Sequence, residues 1–294
     1  MKKLLPTSLT VQNLDELFVG LTQSNGTPTS LNISIDFKDL SYIDPTGVTA
    51  LSNLINWLRM NGVTVLFENH QLLSAGCVFL DDIKFFEHFL GSPLRDDAGL
   101  RPTSRSLEFI GDNSRMWLKT DFLQWLSRNS GLSFASFDLL YSAILEIFHN
   151  IDNHSTARIG AVFAQYLPTK KQLLISISDI GVGIPFTVKK ALADTLGIWL
   201  DSEAIEKACE LGFTSRSVAG NAGRGFPNLI DCVAGNYNGI VRIISGRGYV
   251  QFSQKSKRKF STDMSWIYPG SMVSLKIDMS EVPNIESNSE DFTW

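Results

Sequence analysis

The stretch EIFHNIDNHS, Glu146 to Ser155, sets a carboxylate, a carboxamide and an imidazole at steps of four in an otherwise apolar run. In a helix, residues i, i+4 and i+8 stand one above another on a single face, so Glu146, Asn150 and His154 form a polar row. Leu139, Leu140, Ala143, Ile144, Ile147 and Ile151 supply the opposite, apolar face. The spacing predicts an amphipathic helix over about residues 136–153 whose apolar side packs on a sheet. A polar row alone is the ordinary solvated side of such a helix, and the neighbouring segments must decide whether this one is more.

Three of them bear on the question. SDIGVGIP (178–185) ends a strand-like run with Asp179, Gly181 and Gly183. Glycines two apart adopt backbone conformations closed to other residues and let a flat ligand approach, and an aspartate beside them can accept from the exocyclic amine of a purine. GNAGRGFPNLI (220–230) carries Gly220, Gly223 and Gly225 into a helix, whose amide donors and positive dipole end suit polyphosphate. PGSMVSLKI (269–277) opens a last strand with Gly270 and Ser271 beside the purine position. Arg216 and Arg224, within GFTSRSVAGNAGRG, are candidate phosphate contacts in a lid. A D-x-G-x-G or a G-x-x-G-x-G alone is usually a turn; their order along one chain is the informative feature.

The rest of the chain frames these segments. Its 294 residues are 44% hydrophobic, with 26 basic against 30 acidic groups, which describes an ordinary globular chain long enough for two domains, with nothing in the charge balance that asks for nucleic acid. The basic cluster QKSKRK (254–259) lies between strand-like runs and reads more readily as a solvated hairpin than as a binding patch. Cys77, Cys209 and Cys232 have neither metal-ligand spacing nor an even count, and read as reduced core residues of a cytoplasmic protein. MKKLLPTSL is broken at Pro6 and Ser8, too early for a signal peptide, and no apolar run reaches the length of about 20 residues that spans a bilayer.

Residues 1–95 read as an α/β domain: strand LNISIDF, helix DPTGVTALSNLINWLRMNG, strand VTVLFE, hence a parallel pair with a right-handed crossover. GSPLRDDAGLRPTSRS (91–106) marks a boundary. Residues 106–280 read as α+β. Two helices (114–128 and 136–153) precede a hairpin of ARIGAVFAQYL and KQLLISISDIG, followed by a polar and helical insertion over 185–221. A further helix and the strands GIVRIIS, GYVQFS and GSMVSLKI complete helices on one face of a mixed, mostly antiparallel sheet. Residues 281–294 are acidic and aperiodic, and a flexible tail is expected.

The order E-x-x-x-N-x-x-x-H, D-x-G-x-G-I, G-x-x-G-x-G, then G-S before a final strand resembles the ATP-binding domain shared by DNA gyrase, histidine kinases, MutL-type mismatch-repair proteins and bacterial anti-sigma-factor kinases, over about 106–277. The resemblance implies a Bergerat-type α/β sandwich with ATP and Mg²⁺ as cofactors. It implies that Asn150 holds Mg²⁺ through its amide oxygen, that Glu146 activates the attacking nucleophile, and that Asp179 binds adenine with Gly181 and Gly183 near the base. Gly223 and Gly225 would lie under the phosphates with Arg224 beside them, and Ser271 stands where the family has threonine. His154, two turns from Glu146, reads equally as a hydrogen-bonding residue at the helix end.

Ile35 to Phe67 resembles the STAS domain of anti-sigma-factor antagonists. Where that family has a phosphorylated serine in D-S-S-G, this chain has Asp44-Pro45-Thr46-Gly47, which aligns Thr46 with the acceptor but departs at the proline. Asp44 and Pro45 also read as a helix N-cap with proline at the first helical position, which explains the stretch without phosphorylation. The expectation is a cytoplasmic Mg-ATP-binding regulatory protein, an ATPase or serine/threonine protein kinase of the anti-sigma-factor type, switching an unidentified protein partner. A homodimer is compatible with it; membrane and nucleic acid are not expected. The alternative is a non-enzymatic module in which ATP only gates a protein-interaction surface.

Overall fold

Asp44 and Pro45 begin a helix. In the computed structural model, which describes residues 1–23, 26–111, 113–154, 160–192, 200–213, 225–253 and 259–285 and the side chains of these except 152–154, the Asp44 carboxylate accepts from the Gly47 N–H at 2.9 Å. Pro45 occupies the first helical turn, where its missing N–H leaves nothing unpaired.

The first part of the chain comprises β1 (Lys2–Leu4), β2 (Ser8–Leu9), α1 (Leu14–Phe18), β3 (Asn32–Asp36), β4 (Tyr42–Ile43), α2 (Pro45–Met60), β5 (Thr64–Glu68), α3 (Ala75–Asp82) and α4 (Phe85–Leu90). Strands β1, β3 and β5 pair in that order, all parallel, and α2 is the crossover between the last two. The second part comprises β6 (Glu108–Ile110), α5 (Ser114–Trp117), α6 (Leu123–Ser130), α7 (Asp138–His154), β7 (Gly160–Leu167), β8 (Gln172–Ile180), α8 (Gly183–Ala191), α9 (Asp201–Ala208), α10 (Gly225–Ile230), β9 (Ile240–Ser253) and β10 (Phe260–Asp278). A π-helical turn over Leu118–Phe122 joins α5 to α6 without a break.

The second sheet has the order β6-β7-β8-β10-β9, and the ladders between its described strands are all antiparallel rather than mixed. The reason is topological. β8 and β9 run in the same direction, but β10 inserts between them, so the connection through α8 to α10 never closes a parallel ladder. The runs GIVRIIS and GYVQFS, expected as two strands, are one: Gly246, at φ +58°, bends β9 without ending it.

Helix α7 covers one face of this sheet. Ile144, Ile147, Phe148 and Ile151 pack with Val162, Ile175, Ile177 and Val273 in one core. Leu139, expected on that face, is 56% exposed, because it lies about 100° round the helix from Leu140 and off the stripe. Phe148 is buried in its stead.

The opposite face is covered too, which corrects the expectation of helices on one side only. Leu51, Leu54 and Ile55 of α2 share a second core with Phe163, Ile244 and Met272 of the sheet. Phe18 stacks on Trp266 with ring centroids 5.0 Å apart. Through this core runs a buried polar seam: Thr46 Oγ1 meets Ser274 Oγ at 2.9 Å, Thr49 Oγ1 meets Ser176 Oγ at 2.6 Å, and Asn53 Nδ2 donates to Ser178 Oγ at 2.7 Å. Buried hydroxyls must find partners, and helical spacing on α2 matches strand alternation on β8 and β10 to supply them.

The boundary stretch is also tied down. Arg95 pairs with Asp81 at 3.2 Å, the Leu94 N–H donates to the same carboxylate at 2.8 Å, and Arg101 pairs with Asp82 at 2.8 Å. The start of the expected flexible tail is docked: Val282 is buried, the Ile285 N–H donates to Ser136 Oγ at 3.0 Å, and Ser133 Oγ donates to the Ile285 carbonyl. Residues 286–294, and most of the basic cluster at 254–258, lie outside the described residues. Cys77, Cys209 and Cys232 are free thiols, the first and last buried. Among the described residues no single helix is long and apolar enough to cross a membrane. The chain is thus α/β, with three sheets among the described residues (β1-β3-β5, the short parallel pair β2-β4, and the five-stranded sheet) and helices on both faces of the largest.

Candidate functional site

Two clusters of the expected residues form, on the same layer of the fold. Helix α7 turns its apolar stripe to the sheet and leaves Glu146 and Asn150 half-buried on its other side. The first residue of α10, Gly225, sits directly on that pair. A Cβ at position 225 would lie 2.7 Å from Glu146 Cγ, 3.2 Å from Glu146 Oε1 and 3.3 Å from Asn150 Nδ2, so only glycine lets the chain pass there with both side chains in place. His149, which a spacing of four passes over, places Nδ1 4.0 Å from Glu146 Oε2. Gly220, Gly223, Arg216 and Arg224 lie outside the described residues, as does the side chain of His154.

The second cluster is at the end of β8. Ile175, Ile177 and Asp179 alternate onto the sheet face that α7 covers. Asp179 stands opposite Ser271 of β10 and Gly160 of β7, and its Oδ1 accepts from the Ser271 N–H at 2.9 Å. Gly270, at φ +137°, brings its backbone against this residue; a Cβ there would lie 2.1 Å from the Asp179 carbonyl oxygen and 3.0 Å from Gly181 N. Gly183, at φ +80°, would place a Cβ 2.8 Å from Ser245 Oγ and 3.2 Å from the Gly270 carbonyl. Asp179, Gly181, Gly183, Gly270 and Ser271 therefore converge from two strands, one loop and the first residue of α8. Ser245 joins them unannounced, because only the β9–β10 register, which pairs it with Ser271, reveals its place.

Burial drives the Asp179 carboxyl up to about 7, against the opposing pull of the Ser271 N–H. A raised acid pKa favours the fold at low pH: this contribution is complete below the ordinary carboxylate range and is lost as the pH rises through about 7. Asp44, raised to about 6 by burial at the N-terminus of α2, acts in the same sense. Asp179→Asn should therefore flatten the fall in stability between pH 5 and pH 8, by at most about 3 kcal/mol. Urea unfolding of variant and parent at the two pH values checks this; an unchanged difference between them would show Asp179 to be solvated.

The donor chemistry of the first cluster suits a hard cation. One amide oxygen and one nearby carboxylate are few ligands, enough for an ion that keeps waters and takes phosphate oxygens. Among the described residues no group of three or more His, Cys, Asp or Glu side chains is placed to hold a metal unaided. The second cluster gathers a buried carboxylate, small residues and backbone groups. Compared with known proteins, the chain matches no family model and no curated sequence.

Proposed function

We propose that this chain is a Mg-ATP-binding regulatory protein in which a GHKL-type ATP-binding domain of Bergerat architecture is joined to a STAS-like unit. The observation that carries the reading is the seat of Gly225 on Glu146 and Asn150, with the buried Asp179 on the same sheet layer. A solvated polar row would not require glycine against it.

Each residue has a role in this proposal. Asp179 accepts from the exocyclic amine of adenine and would face the carbonyl oxygen of guanine, while the Ser271 N–H holds the carboxylate in place. Gly181 lies beside the ring, and Gly183 lets the chain close on Ser245 and the Gly270 carbonyl next to it. Asn150 holds the cation through its amide oxygen, and Glu146, one turn away, takes the proton of the attacking nucleophile. Bound Mg²⁺ would neutralise the phosphates and orient the γ-phosphoryl group. Gly223 and Arg224 belong to the phosphate side of the proposal.

The position of Thr46 bears on what the nucleophile is. It is 3% exposed and hydrogen-bonded to Ser274, so phosphate cannot reach it without undocking α2. Water, or a hydroxyl of a separate protein partner, is left as the acceptor. The alternative of a non-enzymatic gate uses the same binding residues and differs only in having no work for Glu146.

Incubation with Mg-ATP, read by phosphate release and intact mass, separates these readings. Slow release is expected, with an unmodified chain and with release lost in Glu146→Gln. A phosphate on Thr46 would contradict the burial argument. Tight binding without release or transfer would leave the gate.

A further inference from the structure

Between the loop after β8 and the start of the last strand segment there is one fully buried hydroxyl, Ser245 of β9. Its Oγ donates to the Gly270 carbonyl at 2.7 Å, accepts from the Ile184 N–H at 2.8 Å, and lies 3.1 Å from Ser271 Oγ. The carbonyl can only accept, so the Ser245 proton is committed to it and Ser271 is the donor in the third contact. Helix α8 has no side-chain cap of its own. Ser245 caps it from a different strand, satisfying one of the four N–H groups that every helix start leaves open. The same Oγ fills the space above Gly183, where a Cβ would come within 2.8 Å.

We infer that Ser245 is the positioning residue of the purine subsite: it fastens the Gly181–Ile184 loop to Gly270 and Ser271, so that Asp179 presents its carboxylate to the base. The inference rests on the nucleotide reading above. It assigns Ser245 to recognition of the ring and gives it no part in holding phosphate, since among the described residues its hydrogen bonds are to Ile184, Gly270 and Ser271 of the Asp179 cluster. Without the hydroxyl, a buried N–H and a buried carbonyl lose their partner, and the loop relaxes away from the strand to find others.

The test uses the full chain and two probes, adenosine and Mg-tripolyphosphate, each measured by competition against a fluorescent ATP analogue. Ser245→Ala is expected to weaken adenosine about tenfold or more and to leave tripolyphosphate within about twofold. Ser245→Cys, which keeps most of the volume and a weak donor, is expected to fall between parent and alanine variant and serves should the alanine variant not fold. Equal losses for both probes would make Ser245 a stability residue and overturn the inference, as would unchanged adenosine affinity. If the parent binds the analogue while Ser245→Ala changes nothing, only this inference fails. If the parent binds neither the analogue nor adenosine, the nucleotide reading fails and takes this one with it.

Discussion

Replacing Gly270 with alanine is expected to cost more than about 3 kcal/mol of stability and to abolish nucleotide binding. The added Cβ would come to 2.1 Å from the Asp179 carbonyl oxygen, a backbone atom in the middle of the sheet that cannot swing aside. The backbone of residue 270, at φ +137°, is in addition a conformation that side chains resist. One of the two strands must move, and either movement breaks the Ser271 N–H bond to Asp179. Gly62 is the internal control. It also has a positive φ, +74°, but nothing lies within 4 Å of its would-be Cβ, so Gly62→Ala should show the conformational penalty alone, about 1 kcal/mol. Urea denaturation of the two variants measures the difference; equal effects would mean that Gly270 is needed only for its backbone angle.

The second large effect is a separation between neighbours. Asn150→Ala should weaken ATP in the presence of Mg²⁺ by about 100-fold, equivalent to about 2.7 kcal/mol, and make chelation of the metal inconsequential. Glu146→Gln should keep nucleotide affinity within about threefold and lower turnover by about 10² to 10⁴, since it removes a base without removing a ligand. Both side chains are only half-buried, on the side of α7 away from the sheet, so neither substitution should change stability by more than about 1 kcal/mol. Parallel loss of binding and turnover in both variants would make the pair a structural contact under Gly225.

Much of this arrangement is local and could be read from the chain. The Asp44–Pro45 cap is set within four residues. The α7 stripe and the β7–β8 hairpin follow from periods of 3.6 and 2. The Asp179 and Gly183 positions are punctuated by their own glycines. What the chain conceals is long-range. Thr46, Thr49 and Asn53 have the look of a solvated helix side, and Ser176 and Ser178 of a half-exposed strand, until the two sets meet across more than a hundred residues. A polar residue gives no sign of whether water or another buried polar group will satisfy it. Ser245 is concealed for the same reason, because its function depends on strand register. The docking of Ile285 is invisible because it joins the backbone of the tail, which carries no sequence signal, to the hydroxyls of Ser133 and Ser136 far back in the chain.

The central proposal is that Asp179 reads adenine and that Asn150 holds a cation. Calorimetric titration of the full chain with ATP and with GTP, each with and without Mg²⁺, and repeated on Asp179→Asn, tests both parts at once. The account predicts one ATP site per chain, weaker binding after chelation, preference for ATP over GTP of about tenfold or more, and loss of that preference in Asp179→Asn. Equal affinity for the two nucleotides, or ATP binding indifferent to both Mg²⁺ and Asp179, would contradict it.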